Sequence, residues 1–105
     1  ADYLATPGNA LAFYFNYLRT VLLDAKFGAL LKNDPAMSDE EITTDYMLKA
    51  MVIAGSPRTV TEKLHAFREE IGGFGTLIAA AHDWDDETRW RRSMALLANH
   101  VVPNL

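Results

Sequence analysis

The sequence contains no cysteine, no long hydrophobic run and no excess of basic residues, and each absence narrows the possible functions. Without cysteine the chain forms neither disulfides nor thiolate metal sites, a composition typical of the reducing cytoplasm. Its apolar stretches fall far short of the ~20 residues that a transmembrane helix needs, so no membrane partner is expected. With 10 basic and 14 acidic residues the net charge is −4, and binding to nucleic acid is not expected either.

Half of the 105 residues are hydrophobic, which is enough for a packed core. Two continuous apolar segments stand out, at residues 51–54 and 74–81. Neither alternates polar with apolar residues, and this pattern favours parallel strands that are covered on both faces. Because two such strands cannot cover themselves, the sequence predicts an α/β fold that belongs to a larger body.

Two helices are predicted before the first strand. One begins after Thr6 and ends near Lys26, with apolar residues at helical spacing along it. The other begins after Ser38, because Ser38 and Glu41 have the spacing of a capping box. Residues 1–49 are therefore predicted to form a helical segment.

Each predicted strand leads directly into a further helix. Ser56 is the expected N-cap of the first of these helices and Pro57 its first residue. The glycine pair at 72–73 is expected to end it, because glycine adopts the left-handed conformation at low cost. Asp85 or Asp86 is expected to cap the last helix. The order fits a right-handed crossover between two parallel strands.

The loops that follow the two strands are the expected places for chemistry, because ligands bind at the carboxyl ends of parallel strands. Gly55 and Ser56 form a small turn at a helix N-terminus, which suits an anion or the close approach of a cofactor. His82 titrates near neutral pH, and Trp84 offers a flat face to an aromatic ligand. Purely structural roles for these residues remain open. The three histidines are too dispersed along the sequence to predict a metal site.

Several ordered motifs resemble one known family. Residues 52–64 resemble its strand, glycine turn and helix, and residues 73–77 with 82–86 resemble its last strand and the loop after it. Residues 91–103 resemble its terminal helix. On these motifs the chain is similar to the C-terminal part of the bacterial-luciferase-like, flavin-dependent monooxygenases, in their limonene-monooxygenase-like branch.

The resemblance implies a fold and an activity. The fold is a TIM-like (β/α)8 barrel, of which residues 50–105 are the last two β/α units and residues 1–49 a helical connecting segment. The implied activity uses reduced FMN, supplied by a separate flavin reductase, and O2 to oxygenate a small organic substrate. A piece of this size is expected to be inactive alone.

The resemblance also implies a set of cofactor-binding residues. Ile53, Gly55 and Ser56 after the first strand, and His82 and Trp84 after the second, are expected to border the flavin. No catalytic residue is assigned, because the family's catalytic groups lie on strands outside this sequence. The expected partners are the missing N-terminal barrel portion and a second copy of the chain, through self-association that covers unpaired strand edges.

Two readings without catalysis are the alternatives. The chain could be a stand-alone helical oligomerisation or interaction module that uses the aromatic first helix as its surface. It could instead be a small anion-binding α/β module that uses the backbone amides of residues 55–57.

Overall fold

The computed structural model describes residues 2–79 and 85–105. Five α-helices lie within these ranges: α1 (Asp2–Ala5), α2 (Ala10–Asp24), α3 (Thr44–Met51), α4 (Pro57–Ile71) and α5 (Glu87–Leu96). The same ranges contain 3₁₀ turns at Gly28–Leu31, Asp39–Glu41 and Val102–Asn104, and a π-helical turn at Leu97–Val101. The described chain divides into two compact units, Asp2–Val52 and Ile53–Leu105.

The unit Asp2–Val52 is built around a small apolar core. Leu31, Ile42 and Met47 form its centre, and Ile42 and Met47 are fully buried. One face of α2 packs against this centre, and its contributing side chains are Phe15, Leu18, Leu22 and Leu23. The core therefore joins α2 and α3 to the irregular segment between them.

Hydrogen bonds between residues far apart in sequence support this core. The Tyr46 hydroxyl donates to the Leu31 carbonyl at 3.0 Å and accepts from the Asn33 N–H at 2.9 Å. The Arg19 guanidinium donates through Nε to the Ile42 carbonyl. These bonds satisfy backbone groups of the irregular segment that no helix or sheet satisfies.

The unit Ile53–Leu105 is centred on α4. Leu64 of this helix and Val101 of the π-helical turn are its buried apolar side chains among the described residues. The His65 ring Nε2 lies 2.9 Å from the Asn104 carbonyl oxygen, and Arg68 Nη1 donates to the Leu105 backbone oxygen at 3.4 Å. The end of the chain is thereby held against α4.

The prediction of two parallel strands is wrong: residues 2–79 and 85–105 contain no strand. Met51 is the last residue of α3, and residues 52–54 form no ladder with another described segment. A continuous apolar sequence signals burial, but a strand also needs a neighbour that pairs with its backbone N–H and C=O groups. No described segment provides that neighbour, so neither a βαβα arrangement nor part of a TIM-like (β/α)8 barrel is present here.

The second predicted strand turns back towards α4. Gly72 and Gly73 both have positive φ, at 83° and 99°. After this turn the Phe74 ring lies 6.3 Å from the Phe67 ring, measured between centroids, and the Arg68 guanidinium lies 5.9 Å from the centroid of Phe74. Ile78 is 83% exposed, so the described part of this apolar segment is not buried as a core strand would be.

Most helix boundaries that were predicted from a residue and its close neighbours are confirmed. Ser56 caps α4, and Pro57 is its first residue, as predicted. Gly72 ends α4 in the left-handed conformation, and Asp86 caps α5. The helix predicted after Thr6 instead begins at Ala10.

The start of α2 is set by Asn9, which the sequence did not single out. The Asn9 carboxamide oxygen accepts from the Ala12 N–H at 2.7 Å, and its Nδ2 donates to the Thr6 carbonyl at 2.8 Å. The predicted capping box of Ser38 and Glu41 is present, and the Ser38 N–H donates to Glu41 Oε2 at 2.7 Å. It lies at the start of the 3₁₀ turn Asp39–Glu41 and not at the start of an α-helix. The helix α3 begins later, with Thr43 as its cap.

Candidate functional site

The turn before α4 depends on a glycine at residue 55. Gly55 has φ of +147°, a backbone region that side chains strongly disfavour. A Cβ built at this position would lie 2.9 Å from both Cβ and Cγ2 of Thr59. The turn can therefore pass this close to the first turn of α4 only because residue 55 has no side chain.

Hydroxyl groups line the same turn. Ser56 Oγ accepts from the Thr59 N–H at 3.2 Å and lies 3.0 Å from Thr59 Oγ1. Pro57 follows as the first helical residue, where its missing N–H costs nothing. The result is a sharply defined helix N-terminus with two neighbouring hydroxyls, which are donors and acceptors suited to a phosphate or carboxylate.

A positively charged side chain lies at this turn. Lys63 Nζ donates to the Ala54 carbonyl at 3.3 Å, which places an ammonium group at the turn. Arg58 is already paired with Glu62 at 2.8 Å across one helical turn. The positive end of the helix dipole and the Lys63 ammonium both favour an anion here.

Ile53 adds an apolar surface beside these polar groups. It is 41% exposed and precedes Gly55 by two residues. A phosphate-bearing aromatic cofactor such as FMN needs both kinds of surface, a set of donors for its phosphate and an apolar wall for its ring system. The residues of this turn fit that requirement chemically.

The structure brings together three of the five predicted cofactor-binding residues. Ile53, Gly55 and Ser56 are consecutive or nearly so in the turn before α4, while His82 and Trp84 lie outside the described residues. Thr59 and Lys63 also belong to the turn but were not predicted. Thr59 had a weak signal, three residues after the cap, whereas the reach of Lys63 back to the Ala54 carbonyl has none.

The described residues contain neither a group of metal-ligating side chains nor a helix that could span a membrane. No three histidine, aspartate or glutamate side chains in the described part of the chain are grouped so that they could hold a metal ion. No helix there is long and apolar enough to cross a bilayer.

The chain is similar in sequence to curated monooxygenases of Pseudomonas putida. It is 41% identical over 73 residues to 3,6-diketocamphane 1,6-monooxygenase, a match that covers 69% of this chain and 18% of that protein. It is 32% identical over 92 residues to 2,5-diketocamphane 1,2-monooxygenase 2, a match that covers 87% of this chain and 23% of that protein. For 2,5-diketocamphane 1,2-monooxygenase 1 the identity is 29% over a match of the same length.

The chain thus spans about a fifth of the length of the curated relatives that it matches. No family model matches it, and no solved structure does. The similarity to several monooxygenases of one kind confirms the predicted resemblance at the level of the family. The chain thus resembles a part of the luciferase-like, flavin-dependent monooxygenases.

Proposed function

We propose that this chain is a segment of an FMN-dependent monooxygenase that oxygenates a small organic substrate, of the apolar cyclic ketone class named for its relatives. The observation that carries the proposal is the 41% identity over 73 residues to 3,6-diketocamphane 1,6-monooxygenase. Because the chain spans about a fifth of each relative, the complete activity belongs to a longer polypeptide.

The candidate turn lies inside the similar region. A stretch of 73 consecutive residues in a chain of 105 includes residues 33–73 wherever it begins. The turn at 53–56 and the whole of α4 are therefore part of the match. This supports a role for the turn in the function that the relatives share.

In this proposal the turn before α4 holds part of the cofactor. The Arg58 N–H in the first turn of α4 and the hydroxyls of Ser56 and Thr59 contribute donors to the FMN phosphate, and Lys63 contributes charge. Ile53 lines the flavin ring. When bound, FMN in its reduced form supplies the reaction with O2, which no amino-acid side chain supplies.

His82 and Trp84 are the other two proposed cofactor-binding residues, and their proposed role is based on the sequence alone. Trp84 contributes a flat apolar face, and His82 a group that gains or loses a proton near neutral pH. Residues 1–49 serve as a helical connecting segment. A separate flavin reductase supplies reduced FMN, and the reducing cytoplasm is the proposed location. Catalytic residues are not assigned to this chain.

The test exchanges the matched segment of 3,6-diketocamphane 1,6-monooxygenase for the corresponding residues of this chain. We expect the chimera to bind FMN, measured by quenching of FMN fluorescence, and to oxygenate 3,6-diketocamphane when reduced FMN is supplied. A chimera that melts cooperatively but neither quenches FMN nor forms product would contradict the proposal.

A matched pair of glycine variants sharpens this test. Gly55→Ala in the chimera should weaken FMN binding, because the added Cβ meets Thr59 and moves the turn. Gly75→Ala should leave binding unchanged, because nothing lies within 4 Å of a Cβ at residue 75. The isolated chain serves as a second reference, and we expect no saturable quenching with it.

A further inference from the structure

The peptide group between Ala54 and Gly55 is held by the side chain of Lys63. Lys63 Nζ donates to the Ala54 carbonyl oxygen at 3.3 Å, between residues nine positions apart in sequence. The contact joins the body of α4 to the turn that precedes this helix. Lys63 therefore acts on the backbone of the turn and not on one of its side chains.

Lys63 has no acidic neighbour on its own face of α4. The positions three and four residues before and after it are occupied by Thr59, Val60, Ala66 and Phe67. An ammonium group on a helix pairs with carboxylates at these spacings, so no such pair competes for Lys63. None of the ion pairs among the described residues includes it. The ammonium group is therefore available to the Ala54 carbonyl.

The contact fixes the direction of the Gly55 N–H. The peptide between Ala54 and Gly55 is trans and planar, so its C=O and its N–H point in opposite directions. Because the Ala54 carbonyl points towards the Lys63 ammonium, the Gly55 N–H points away from it. This N–H has no acceptor among the described residues, and Gly55 is exposed. The turn thus presents a backbone donor that the described part of the chain does not use.

The glycine at residue 55 makes this direction depend on Lys63. A residue without a side chain has few steric limits on its backbone rotation, so the peptide before Gly55 turns freely unless another group holds it. The hydrogen bond from the Lys63 ammonium provides that hold. It also polarises the peptide group, which makes the Gly55 N–H a stronger donor. Loss of the contact would leave this donor both less fixed and weaker.

We propose that Lys63 is a positioning residue that aims the Gly55 N–H at the flavin ring system of the bound cofactor. The hydroxyls of Ser56 and Thr59 serve the phosphate, whereas the Gly55 N–H donates to the ring system, whose carbonyl oxygens and ring nitrogens are acceptors. Lys63 acts on the ring through the backbone. The inference rests on the proposed function for the identity of the cofactor, but the contact between Lys63 and Ala54 is a property of this chain alone.

Carbonyl-carbon NMR of this chain tests the contact without any cofactor. In Lys63→Met the carbonyl-carbon resonance of Ala54 should move upfield, because a hydrogen bond deshields a carbonyl carbon and is lost here. Lys63→Arg should keep most of the original shift, since a guanidinium also donates to a carbonyl. Lys49→Met removes an ammonium group from an exposed position of α3 and should leave the Ala54 resonance unchanged. Far-UV circular dichroism of each variant confirms that the helices are retained.

Flavin binding by the chimera with 3,6-diketocamphane 1,6-monooxygenase separates a positioning role from a charge effect. Riboflavin has the same ring system as FMN but no phosphate. Lys63→Met should weaken the binding of both, and of riboflavin by about three- to ten-fold, the range expected for one hydrogen bond. Lys63→Arg should restore most of the affinity for both. Ser56→Ala, by contrast, should weaken FMN more than riboflavin. Quenching of flavin fluorescence measures each dissociation constant.

Two results would overturn the inference. An Ala54 resonance that is the same in Lys63→Met and in the unsubstituted chain would show that the ammonium does not hold this carbonyl. Unchanged riboflavin binding by Lys63→Met, together with weaker FMN binding, would show that Lys63 acts on the phosphate by its charge alone. Failure of the unsubstituted chimera to quench FMN is a different result, because it contradicts the proposed function, and the Ala54 resonance still decides whether Lys63 holds the turn.

Discussion

The two units of the chain are held together in different ways. In Asp2–Val52, the fully buried Ile42 and Met47 lie at the centre of a core, and hydrogen bonds join residues up to 28 positions apart. In Ile53–Leu105, which carries the candidate turn, Leu64 and Val101 are the buried apolar side chains among the described residues. His65 and Arg68 hold the end of the chain against α4, and the caps and ion pairs of this unit join residues only a few positions apart.

This difference indicates how robust the candidate turn is. The hydrogen bonds between Ser56 and Thr59, in which the Thr59 N–H donates to Ser56 Oγ, and the close approach of Gly55 involve residues at most four positions apart. Such local geometry depends little on what packs around it. We therefore expect the turn before α4 to keep its conformation in a longer protein, whereas the first unit depends on its core.

Met47→Ala should have the largest effect. Truncating a fully buried side chain leaves a cavity, and we expect the free energy of unfolding to fall by about 2–5 kcal/mol. Met51→Ala, at the exposed end of the same helix, is the matched control and should cost much less.

The aromatic residues allow this prediction to be assigned to one unit. All 4 tyrosines lie in Asp2–Val52, and both tryptophans lie in Ile53–Leu105. During urea unfolding of Met47→Ala, the midpoint of the transition followed by tyrosine fluorescence should move to a lower urea concentration. The midpoint followed by tryptophan fluorescence should stay where it is in the unsubstituted protein. Equal shifts of both signals would break the comparison, because they would show that the two units unfold as one.

Gly55→Ala should have the next largest effect. The positive φ and the 2.9 Å contact with Thr59 together predict a loss of about 1–3 kcal/mol, measured by tryptophan fluorescence in urea. Gly75 has neither a positive φ nor an atom within 4 Å of an added Cβ, so Gly75→Ala should hardly change the free energy of unfolding. Equal stability of the two variants would show that the turn adopts another conformation in solution.

Ser56→Ala should cost about 1 kcal/mol, because the Thr59 N–H loses its acceptor at the start of α4. Ser56→Asp should restore most of that stability, since aspartate caps helices as well as serine does. Thermal melting followed at 222 nm compares the three proteins. An unchanged melting temperature for Ser56→Ala would show that the cap contributes nothing to the second unit.

Tyr17→Ser should have the smallest effect on stability. Its ring is largely exposed, so we expect the free energy of unfolding to change by no more than about 0.5 kcal/mol. Leu18→Ser, on the inner face of the same helix, should destabilise the first unit strongly. A large loss for Tyr17→Ser in dilute solution would mean that the two faces of α2 do not differ as described.

The sequence predicted the boundaries of α4 well and those of α2 poorly. The signals at Ser56, Pro57 and Gly72 are each carried by one residue and its close neighbours, and all three are confirmed. At the start of α2, Thr6 and Pro7 had the same type of signal, but Asn9 caps the helix with its buried carboxamide. Two competing caps within four residues could not be ranked without knowing which side chain becomes buried.

The candidate site could be predicted in part for a similar reason. Gly55 and Ser56 are recognisable from a turn followed by proline, and the structure places them with Ile53 in one turn. The position of the Lys63 ammonium depends on the path of α4 past the Ala54 carbonyl, which sequence spacing does not reveal. His82 and Trp84 remain predictions.

By itself, the sequence determined the features that arise between near neighbours: the caps of α4 and α5, the left-handed end at Gly72 and the resemblance to flavin-dependent monooxygenases. The tertiary structure alone decided that residues 52–54 and 74–79 form no sheet and that α2 buries one apolar face and exposes the other. The physical reason is that a hydrogen bond across one helical turn needs only its own residues, whereas a strand or a buried face exists only when a distant segment supplies its partner.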